Sequence, residues 1–571
     1  MADRHQTDGA PSGAREYDAI VIGAGFAGLY MLYRLRERGL SVRVLEAADG
    51  IGGTWYWNSY PGARCDVESM DYSYSFDPEL EQEWTWTEKY PAQPEILAYI
   101  NHVADRFDLR PDIQLQTRVE SATWDDGAHR WEIVTDAGER FRAQFVVSAI
   151  GTLSAPLKPR YEGIDDFQGE WYQTQDWPKE PVSFEGKRVA VVGTGSSGVQ
   201  AIPEIAKEAA HLTVFQRTPN FSVEGKNRPL TAEEIAERKA GYREHRDKQR
   251  NSNVGIPLAI NERSGLDMTH EERIAEMEER WGYGGAPVFN VSFVDIMTNI
   301  EVNEIVQDFV RDKIRAKVDD PELADLLTPR GHPFAAKRLC VDHGYFETFN
   351  RDNVDLVPIT DNPIDRLTPD GIRLADGSEH EFDAIVFAIG YDAISGSLLR
   401  IDIRGRDGVS LRDEWAERPA TYHGLTIAGF PNLFTVTGPY SPAVLAVMIV
   451  AIEQHVEWID ACIGHLRDHG IETIEATREA QEEWVAHVDE VTAGTVFPLA
   501  TNSYYNGANV PGKPRNFPLY AGGLIEYNRR IDEVAANGYD SYLLDGRPAG
   551  GDTEAGGADE AAAIASNGPW N

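Results

Sequence analysis

Two glycine-rich stretches constrain the fold of this chain more than any other feature. The first, GAGFAG at 23–28, lies between a β-rich run and a helical pattern, and the second, GTGSSG at 193–198, has the same setting. Glycines at this spacing let the backbone approach a pyrophosphate at the N-terminus of a helix. One such motif is weak evidence, but here a strand, the glycines, a helix and a second strand follow in order twice. The sequence therefore predicts an α/β protein with two Rossmann-like dinucleotide-binding domains.

An aromatic stretch follows the first glycine motif. Residues 52–66 read GGTWYWNSYPGARCD, which places two tryptophans between glycines and ends on the carboxylate of Asp66. A surface loop does not normally hold so many large rings. We interpret the stretch as backbone lying against a flat cofactor, with Asp66 at the reactive edge of that cofactor. A tightly packed buried turn is the alternative.

The residue that follows the second strand differs between the two units and predicts different cofactors. In the first unit it is Glu46, whose carboxylate can accept hydrogen bonds from ribose hydroxyls. In the second unit it is Arg217, whose guanidinium can pair with a 2′-phosphate that a carboxylate would repel. A surface ion pair is the alternative role for Arg217. With the aromatic stretch beside the first site, we expect FAD there and NADPH at the second.

Length and composition limit the remaining possibilities. At 571 residues the chain is too long for one core, so two or three domains are expected. The net charge of −39 argues against a nucleic-acid partner, which needs a basic face. The longest apolar run, 443–452, is far too short for a membrane span, and the N-terminus lacks an apolar signal core. Three scattered cysteines form neither a disulfide framework nor a zinc site, so we expect a cytoplasmic protein without a metal.

The acidic composition has two explanations. The chain has 93 acidic residues, and only 12 of its 54 basic residues are lysines. Few lysines among many carboxylates is what a high-salt cytoplasm would favour, whereas an ordinary acidic, arginine-rich proteome explains the same numbers. Both explanations stay open.

The order of strands and helices predicts two interleaved domains. Buried strands end on glycine at Gly151 and again at Gly390, and a segment rich in Glu, Arg and Ala interrupts the second nucleotide unit. We predict the following segments: a disordered N-terminus 1–15, the FAD domain in two parts at 16–150 and 393–545, the NADP domain in two parts at 151–225 and 331–392, a helical insertion at 226–330, and a disordered tail 546–571.

The residues resemble the Baeyer–Villiger monooxygenases, the class B flavoprotein monooxygenases of the phenylacetone and cyclohexanone monooxygenase type. The resemblance covers nearly the whole chain, from about Tyr17 to Tyr527. The stretch 52–66 fits the family pattern without a mismatch. Other parts similar to the family are Lys337 with Arg338, the run 507–513, and Ser441 and Pro442 with Met448.

Two positions depart from the family pattern. The fingerprint between the nucleotide units carries a histidine in the family, and here Gln173 occupies that position. In the family this histidine looks like a residue that hydrogen-bonds between domains rather than one that donates a proton to the substrate. Gln can still donate and accept hydrogen bonds, so we expect slower or less coupled turnover and not a loss of activity. The tryptophan that usually precedes Gly-Ala-Asn is replaced by Tyr504, which could still cover the nicotinamide nucleotide.

The resemblance implies that the enzyme converts a ketone, O2 and NADPH into an ester or lactone, water and NADP+. NADPH would reduce FAD, and the reduced flavin would trap O2 as a C4a-peroxide that forms a tetrahedral, Criegee-type adduct with the ketone. Arg338 is expected to stabilise the peroxide and the negative oxygen of the adduct, because a guanidinium is always charged. Asp66 is expected to pair with Arg338 and to hold or release it as the nicotinamide moves.

The expected site residues fall into three groups. For FAD they are Gly23, Gly25, Phe26, Gly28, Glu46, Gly53, Thr54, Trp55, Tyr56, Trp57, Asp66, Tyr72, Val119 and Met448. For NADP they are Arg64, Cys65, Asp66, Thr194, Gly195, Ser196, Ser197, Gly198, Gln200, Arg217, Thr218, Lys337 and Tyr504. For the substrate side they are Tyr440, Val444 and Leu445, at the start of a helix predicted over 442–467.

Several alternatives remain beside the ketone monooxygenase. A flavoenzyme that oxidises sulfur or amine nitrogen, or a largely uncoupled NADPH oxidase, would use the same nucleotide folds, and Gln173 leaves both open. A disulfide reductase would normally need a Cys-x-x-Cys beside the flavin, and the sequence has none. A non-catalytic binding protein is hard to reconcile with two intact nucleotide loops and Arg338. The expected partners are a small ketone and O2, with no nucleic acid and no membrane, for a monomer or small homo-oligomer.

Overall fold

The computed structural model describes residues 13–549. The strands of this part are β1 Arg15–Ile22, β2 Val42–Leu45, β3 Ile113–Gln114, β4 Val119–Asp125, β5 Arg130–Thr135, β6 Arg140–Ser148, β7 Glu170–Gln173, β8 Arg188–Val192, β9 His211–Gln216, β10 Ser222–Glu224, β11 Cys340–Asp342, β12 Val354–Pro358, β13 Ile364–Thr368, β14 Gly371–Leu374, β15 Glu379–Glu381, β16 Ala384–Phe387, β17 Asp402–Arg404, β18 Leu433–Thr435, β19 Ile474–Ala476, β20 Tyr542–Leu544 and β21 Arg547–Pro548. The helices are α1 Phe26–Glu37, α2 Thr54–Trp57, α3 Pro78–Glu83, α4 Gln93–Arg106, α5 Ser196–Glu208, α6 Ala232–Arg250, α7 His270–Tyr283, α8 Ala286–Phe289, α9 Ile300–Arg315, α10 Pro321–Leu327, α11 Tyr345–Thr348, α12 Gly396–Leu399, α13 Leu411–Glu414, α14 Met448–Asp468, α15 Arg478–Ala493 and α16 Leu524–Ala536.

The first sheet is built around the first glycine motif. Its strand order is β17-β4-β5-β6-β1-β2-β3, and β18 also pairs with β6. Strand β1 runs parallel to both β2 and β6, and its last four residues are buried. Such a strand, covered on both faces, reads as a continuous apolar run. The motif at 23–28 therefore leaves the carboxyl end of a central parallel strand, where open α/β sheets bind their ligands.

The second sheet repeats this arrangement around the second glycine motif. Its order is β12-β9-β8-β16-β7, with all neighbours parallel. Strand β8 lies at its centre and leads through 193–198 into α5. The second sheet is parallel and the first is mixed, with β4–β5 and β5–β6 antiparallel. In both sheets the glycine motif leaves a central strand whose two neighbours are parallel, which confirms the predicted fold class, an α/β protein with two Rossmann-like units.

Each sheet has its own large core: α7, α8, α9 and α10 pack into the core of the second sheet, whereas Tyr242 on α6 is buried in the core of the first. Trp281 on α7 and Phe309 on α9 are buried in the same cluster as Val191 of β8. Two of these helices, α6 and α7, begin at capping boxes, in which a Thr side chain and a Glu three residues later satisfy backbone N–H groups. The segment is largely helical, and its later helices share the core of the second sheet.

Both ends of the chain were predicted to be disordered, and most of those residues lie outside the described part. Of the described ones, Arg15 begins β1, and Arg547 with Pro548 pairs with β20 as β21. The prediction of disorder therefore does not hold for these three residues, whose backbones are paired. Within residues 13–549 we find no helix long and apolar enough to cross a membrane.

Candidate active site

The two glycine loops have the close packing that a dinucleotide requires. A Cβ on Gly28 would lie 1.8 Å from the carbonyl oxygen of Gly23, and one on Gly198 would lie 2.2 Å from that of Gly193. Gly23 and Gly193 also have φ values of +102° and +112°, which favour glycine. Each loop thus brings a helix N-terminus against the end of its strand, a geometry suited to a pyrophosphate.

Glu46 lies at the predicted place and also supports the first loop. Its carboxylate accepts hydrogen bonds from the backbone N–H groups of Ala24 at 2.7 Å and Ala48 at 2.9 Å. Burial raises the pKa of Glu46, while those hydrogen bonds act to lower it. The backbone carbonyl of Glu46 accepts a hydrogen bond from the N–H of Thr117 at 2.8 Å. This bond places Val119, two residues further on, close to the first glycine loop.

The aromatic stretch packs directly on the first glycine loop. Gly52 donates its N–H to the carbonyl of Ala24 at 3.0 Å, and a Cβ on Gly53 would lie 3.0 Å from the Cα of Gly25. In α2, the indole of Trp55 donates to the hydroxyl of Tyr72 at 3.2 Å. The structure therefore brings these predicted FAD residues together, and the cradle that Gly25 and Gly53 form has no room for side chains. These residues fit a flat cofactor.

Tyr56 and Trp57 face the other nucleotide unit. The ammonium of Lys179 lies 3.9 Å from the centre of the Tyr56 ring and 5.8 Å from that of Trp57. Tyr56 lines an open cleft of about 630 Å³ together with Trp177 and Pro178. The end of α2 therefore contacts the linker into the second unit as well as the flavin side.

Asp66 and Arg338 form a bidentate ion pair although 271 residues separate them in the chain. The Nε and Nη2 of Arg338 lie 2.9 and 2.7 Å from Oδ2 of Asp66, and Nη2 also lies 2.8 Å from Oδ1. The remaining nitrogen, Nη1, donates to the carbonyl of Val444 at 2.6 Å. Burial acts to lower the pKa of Arg338, but the charge of Asp66 raises it well above its usual value. The guanidinium is therefore a fixed positive charge, and all three of its nitrogens are hydrogen-bonded.

The NADP-side residues join the two nucleotide units. The side-chain amide of Gln200 on α5 donates to the carbonyl of Arg64 at 3.0 Å and accepts from the hydroxyl of Tyr60 at 2.8 Å. The hydroxyl of Thr194 donates to the carbonyl of Thr218 at 3.2 Å, and Ser196 lies 3.7 Å from the sulfur of Cys340. Cys65 is buried beside Asp66, and burial raises the pKa of its thiol.

Arg217 and Lys337 form a cationic patch. In the described part of the chain no carboxylate pairs with either of them, so the surface ion pair considered for Arg217 is not found. Burial and then the charge of Arg217 lower the pKa of Lys337 to about 8. Two neighbouring cations that repel each other would be stabilised by an anion, so they fit the 2′-phosphate of NADPH.

The two departures from the family pattern lie at contacts between elements. Gln173, at the end of β7, is 8% exposed and donates its amide to the carbonyl of Leu157. Tyr504 packs against Tyr505 with ring centres 4.7 Å apart, and the charge of Arg338 acts on the pKa of both. Tyr504 therefore lies near the ion pair, and its role in covering the nicotinamide stays a prediction.

The predicted substrate residues separate in the structure. Val444 and Leu445 lie in an apolar cluster with Met448 and Tyr504, next to Arg338. Tyr440, in contrast, is fully buried elsewhere, with Asp489 and Arg418 as its nearest charges. The prediction for Tyr440 is corrected here: its φ of +66° turns the side chain into the core, where the Trp484 indole also donates to the Tyr440 carbonyl.

A cavity of about 100 Å³ opens beside Asp66 and is lined by residues that sequence reasoning missed. Its apolar wall consists of Val67, Ile256, Pro257, Leu258, Pro287 and Val288. Most of these come from the helical insertion, far from Asp66 in sequence, and no local pattern marks them. The polar wall includes Asp71, which contacts His245 and lies 3.1 Å from Arg238.

Comparison with known proteins gives full-length relatives. A family model described as pyridine nucleotide-disulphide oxidoreductase matches residues 20–254. An acetone monooxygenase (methyl acetate-forming) of Gordonia sp. (strain TY-5) is 44% identical over 92% of this chain and 99% of its own length. A phenazine N-monooxygenase of Lysobacter antibioticus is 43% identical over 93% of this chain and 98% of its own. A Baeyer–Villiger monooxygenase of Pseudooceanicola batsensis (strain ATCC BAA-863 / DSM 15984 / KCTC 12145 / HTCC2597) is 41% identical over 95% and 98%.

Solved structures agree with these relatives. An oxidised steroid monooxygenase bound to NADP is 48% identical, with a TM-score of 0.89 over 94% of this chain and 100% of the other. A protein named OTEMO, in complex with FAD and NADP, is 38% identical with a TM-score of 0.89 over 93% of this chain and 100% of the other. The similarity therefore extends over both nucleotide units.

Proposed function

Because this chain belongs to the family of Baeyer–Villiger monooxygenases, we propose that the ion pair of Arg338 and Asp66 is its catalytic centre. The chain is an NADPH-dependent flavoprotein monooxygenase that converts ketones, with O2, into esters or lactones. Bound FAD supplies the oxygen chemistry and NADPH supplies the hydride. The resulting balance is ketone, O2, NADPH and a proton giving ester, water and NADP+.

The observation that carries the proposal is the anchoring of one partly buried cation between two loops. Asp66 holds Nε and Nη2 of Arg338, and the Val444 carbonyl holds Nη1. A guanidinium fixed in this way stabilises negative charge on an oxygen without reorganising during the reaction. Arg338 is therefore the group that stabilises the oxyanion formed when the ketone carbonyl is attacked, and Asp66 sets its orientation.

The cationic patch of Arg217 and Lys337 selects the reductant. A 2′-phosphate placed there would pair with both cations, whereas NADH offers only a hydroxyl. Thr194, Gln200 and Arg64 then hold the remainder of the nucleotide across the boundary between the units.

The cavity beside Asp66 is the proposed ketone side of the centre. Val288 and Leu258 form part of its apolar wall. A larger side chain there would exclude part of the substrate, so Val288→Phe is expected to shift the preference towards smaller ketones. An unchanged order of kcat/KM across linear, cyclic and aryl ketones would place the substrate elsewhere.

Oxidation of a nitrogen is a second candidate, because the phenazine N-monooxygenase is as similar to this chain as the ketone-oxidising relatives are. The test is to measure product, NADPH and hydrogen peroxide together for cyclic, aryl and linear ketones, aryl sulfides and N-heteroaromatics. Ester formed in proportion to NADPH supports the ketone reaction. N-oxide formed instead identifies the second candidate, and peroxide equal to NADPH for every compound identifies an uncoupled oxidase.

The domain boundaries, the compartment and the assembly are also proposals. Strands of the first sheet come from both 15–148 and 402–435, which supports a divided FAD domain. The NADPH requirement suits the cytoplasm, and we propose a monomer or small homo-oligomer there. Sedimentation of the FAD-loaded protein would decide the assembly, and a large oligomer would contradict it.

A further inference from the structure

Helix α14 carries several buried ionisable side chains, and two of them, Glu453 and His455, hydrogen-bond to loops near Arg338 although the reaction does not use them directly. Glu453 is 3% exposed and His455 is fully buried. They lie two residues apart, so they point to different sides of the helix. Each forms hydrogen bonds to a loop near one of the two groups that bind Arg338. These groups are the Asp66 carboxylate and the Val444 carbonyl.

Glu453 holds the loop that begins at Asp66. Its two carboxylate oxygens accept hydrogen bonds from the backbone N–H of Ser75 at 2.7 Å and from the hydroxyl of Ser75 at 2.6 Å. Ser75 lies three residues beyond the turn in which the N–H of Tyr72 donates to the carbonyl of Glu68 at 3.1 Å. The far end of the Asp66 loop is therefore fixed to α14.

His455 holds the loop that carries Val444. Its Nδ1 accepts the backbone N–H of Thr437 at 2.9 Å, so the ring proton lies on Nε2, which donates to the hydroxyl of Tyr527 at 2.8 Å. That hydroxyl donates onward to the carbonyl of His423 at 2.5 Å. Every polar atom of the imidazole is satisfied in one neutral tautomer.

The loop that His455 holds is strained. Thr437, Tyr440 and Ala443 have φ values of +52°, +66° and +30°, which non-glycine residues rarely adopt. Such conformations persist only where the surrounding structure holds them. The loop leaves β18 just before Thr437 and enters α14 at Met448, so the bond from Thr437 to His455 closes it at its base.

We propose that Glu453 and His455 are positioning residues, which align from one helix the Asp66 carboxylate and the Val444 carbonyl that together orient Arg338. The proposal rests on the proposed role of Arg338. In this proposal, α14 holds the two acceptors of the guanidinium, the Asp66 carboxylate and the Val444 carbonyl, at fixed positions relative to each other. Losing either hydrogen bond would release one anchor while leaving both nucleotide sites intact.

The test compares FAD-loaded variants of the full chain. His455→Phe keeps a ring but removes the acceptor for Thr437, and Glu453→Met removes both acceptors for Ser75. Each is expected to lower ester formed per NADPH by about threefold or more, with hydrogen peroxide rising in return and flavin reduction by NADPH within about twofold of wild type. His455→Asn places an amide oxygen near the Nδ1 position and is expected to keep more than about two thirds of the coupling.

A matched control separates positioning from general destabilisation. Asp460 lies on the same helix, is 3% exposed in its side chain, and binds Arg34 of α1 and Arg38 at the end of that helix, away from both loops. Asp460→Asn is expected to lower the melting temperature while leaving the coupling unchanged. Hydrogen exchange followed by mass spectrometry should show faster exchange at 437–447 in His455→Phe and not in Asp460→Asn.

The outcomes separate this proposal from the proposed function. Coupling and loop exchange in His455→Phe that match wild type would overturn the positioning role, as would equal losses in Asp460→Asn. A wild-type protein that forms no ester would overturn the proposed reaction. In that case the exchange at 437–447 still decides whether His455 holds the loop.

Discussion

The proposed chemistry depends at the residue scale on how tightly one guanidinium is fixed. Arg338 uses three of its nitrogens on two acceptors that come from distant parts of the chain, Asp66 and the carbonyl of Val444. About a third of its side chain remains exposed, so part of it stays accessible. A lysine ammonium at this position would keep the positive charge but lose the forked hydrogen-bonding geometry of the guanidinium.

Arg338→Lys therefore tests geometry separately from charge. Removing a preorganised oxyanion donor costs about a hundredfold or more in turnover, so we expect ester formation to fall by that factor. Flavin reduction by NADPH, followed by bleaching of the flavin absorbance, should change only a few fold because Arg217 and Lys337 are untouched. Ester formation at the wild-type rate would remove Arg338 from the catalytic role.

Arg217→Leu tests the cationic patch. A charge-assisted hydrogen bond to a phosphate contributes about 1.5–3 kcal/mol, so the KM for NADPH should rise by about ten- to a hundredfold. The KM for NADH should stay within about twofold, because NADH lacks the 2′-phosphate. Measuring both reductants on one preparation provides the control. An equal rise for both would mean that Arg217 holds the protein fold rather than the phosphate.

At the scale of elements, a side chain added to either glycine loop is expected to impair the binding of a different nucleotide. A Cβ on Gly28 would press on the Gly23 carbonyl and push α1 away from β1, and one on Gly198 would do the same between α5 and β8. We expect Gly28→Ala to be purified largely without FAD. Gly198→Ala should retain FAD and raise the KM for NADPH.

The two substitutions are made in equivalent positions, so each serves as the control for the other. The flavin-to-protein absorbance ratio and the NADPH titration provide the readouts. Loss of FAD in both variants, or in neither, would contradict the assignment of one nucleotide to each loop.

Local sequence patterns predicted the strands and helices well where short-range geometry determines them. The strand, glycine and helix order around 23–28 and 193–198 follows from short-range geometry and was confirmed. The helix predicted from 442 instead begins at Met448, because the chain makes a short 3₁₀ turn at Ala443–Leu445 and then extends through Val447. Pro442 and the apolar run give no sign of that interruption.

The site itself could be predicted only in part. Asp66 and Arg338 were paired from the family resemblance, since no spacing rule links residues so far apart. Tyr440 was expected at the substrate and lies in the core, because positive φ values redirect the loop. Ile256, Leu258 and Val288 reach the cavity through packing of the helical insertion, which leaves no local sequence signal.

The stability of the whole molecule should depend on pH through buried neutral histidines. Burial lowers the pKa values of His332, His423 and His455 to about 3, below the value of about 6.5 expected in the unfolded chain. The unfolded state then binds more protons, so stability is complete above pH 6.5 and is lost as the pH falls from there towards 3. Burial raises the pKa of Glu453 to about 7, which opposes this trend over part of the same range.

From these four groups we expect the free energy of unfolding to be about 2 kcal/mol lower at pH 5.5 than at pH 8. Melting temperatures of the FAD-loaded protein at the two pH values provide the measurement, at constant ionic strength. His423→Asn, which removes one of the buried imidazoles, should reduce the difference. A protein that is equally stable or more stable at pH 5.5 would show that the histidines are not buried as neutral groups.

The most direct test of the ketone reaction is the fate of oxygen atoms during turnover. The FAD-loaded protein is supplied with NADPH, a ketone and ¹⁸O₂, and the product is analysed by mass spectrometry alongside NADPH consumption. The proposed ketone reaction predicts one ¹⁸O atom in each ester molecule, one ester per NADPH, and little labelled ester from Arg338→Lys. Ketone recovered unchanged while NADPH is consumed, with all the label in hydrogen peroxide, would contradict it.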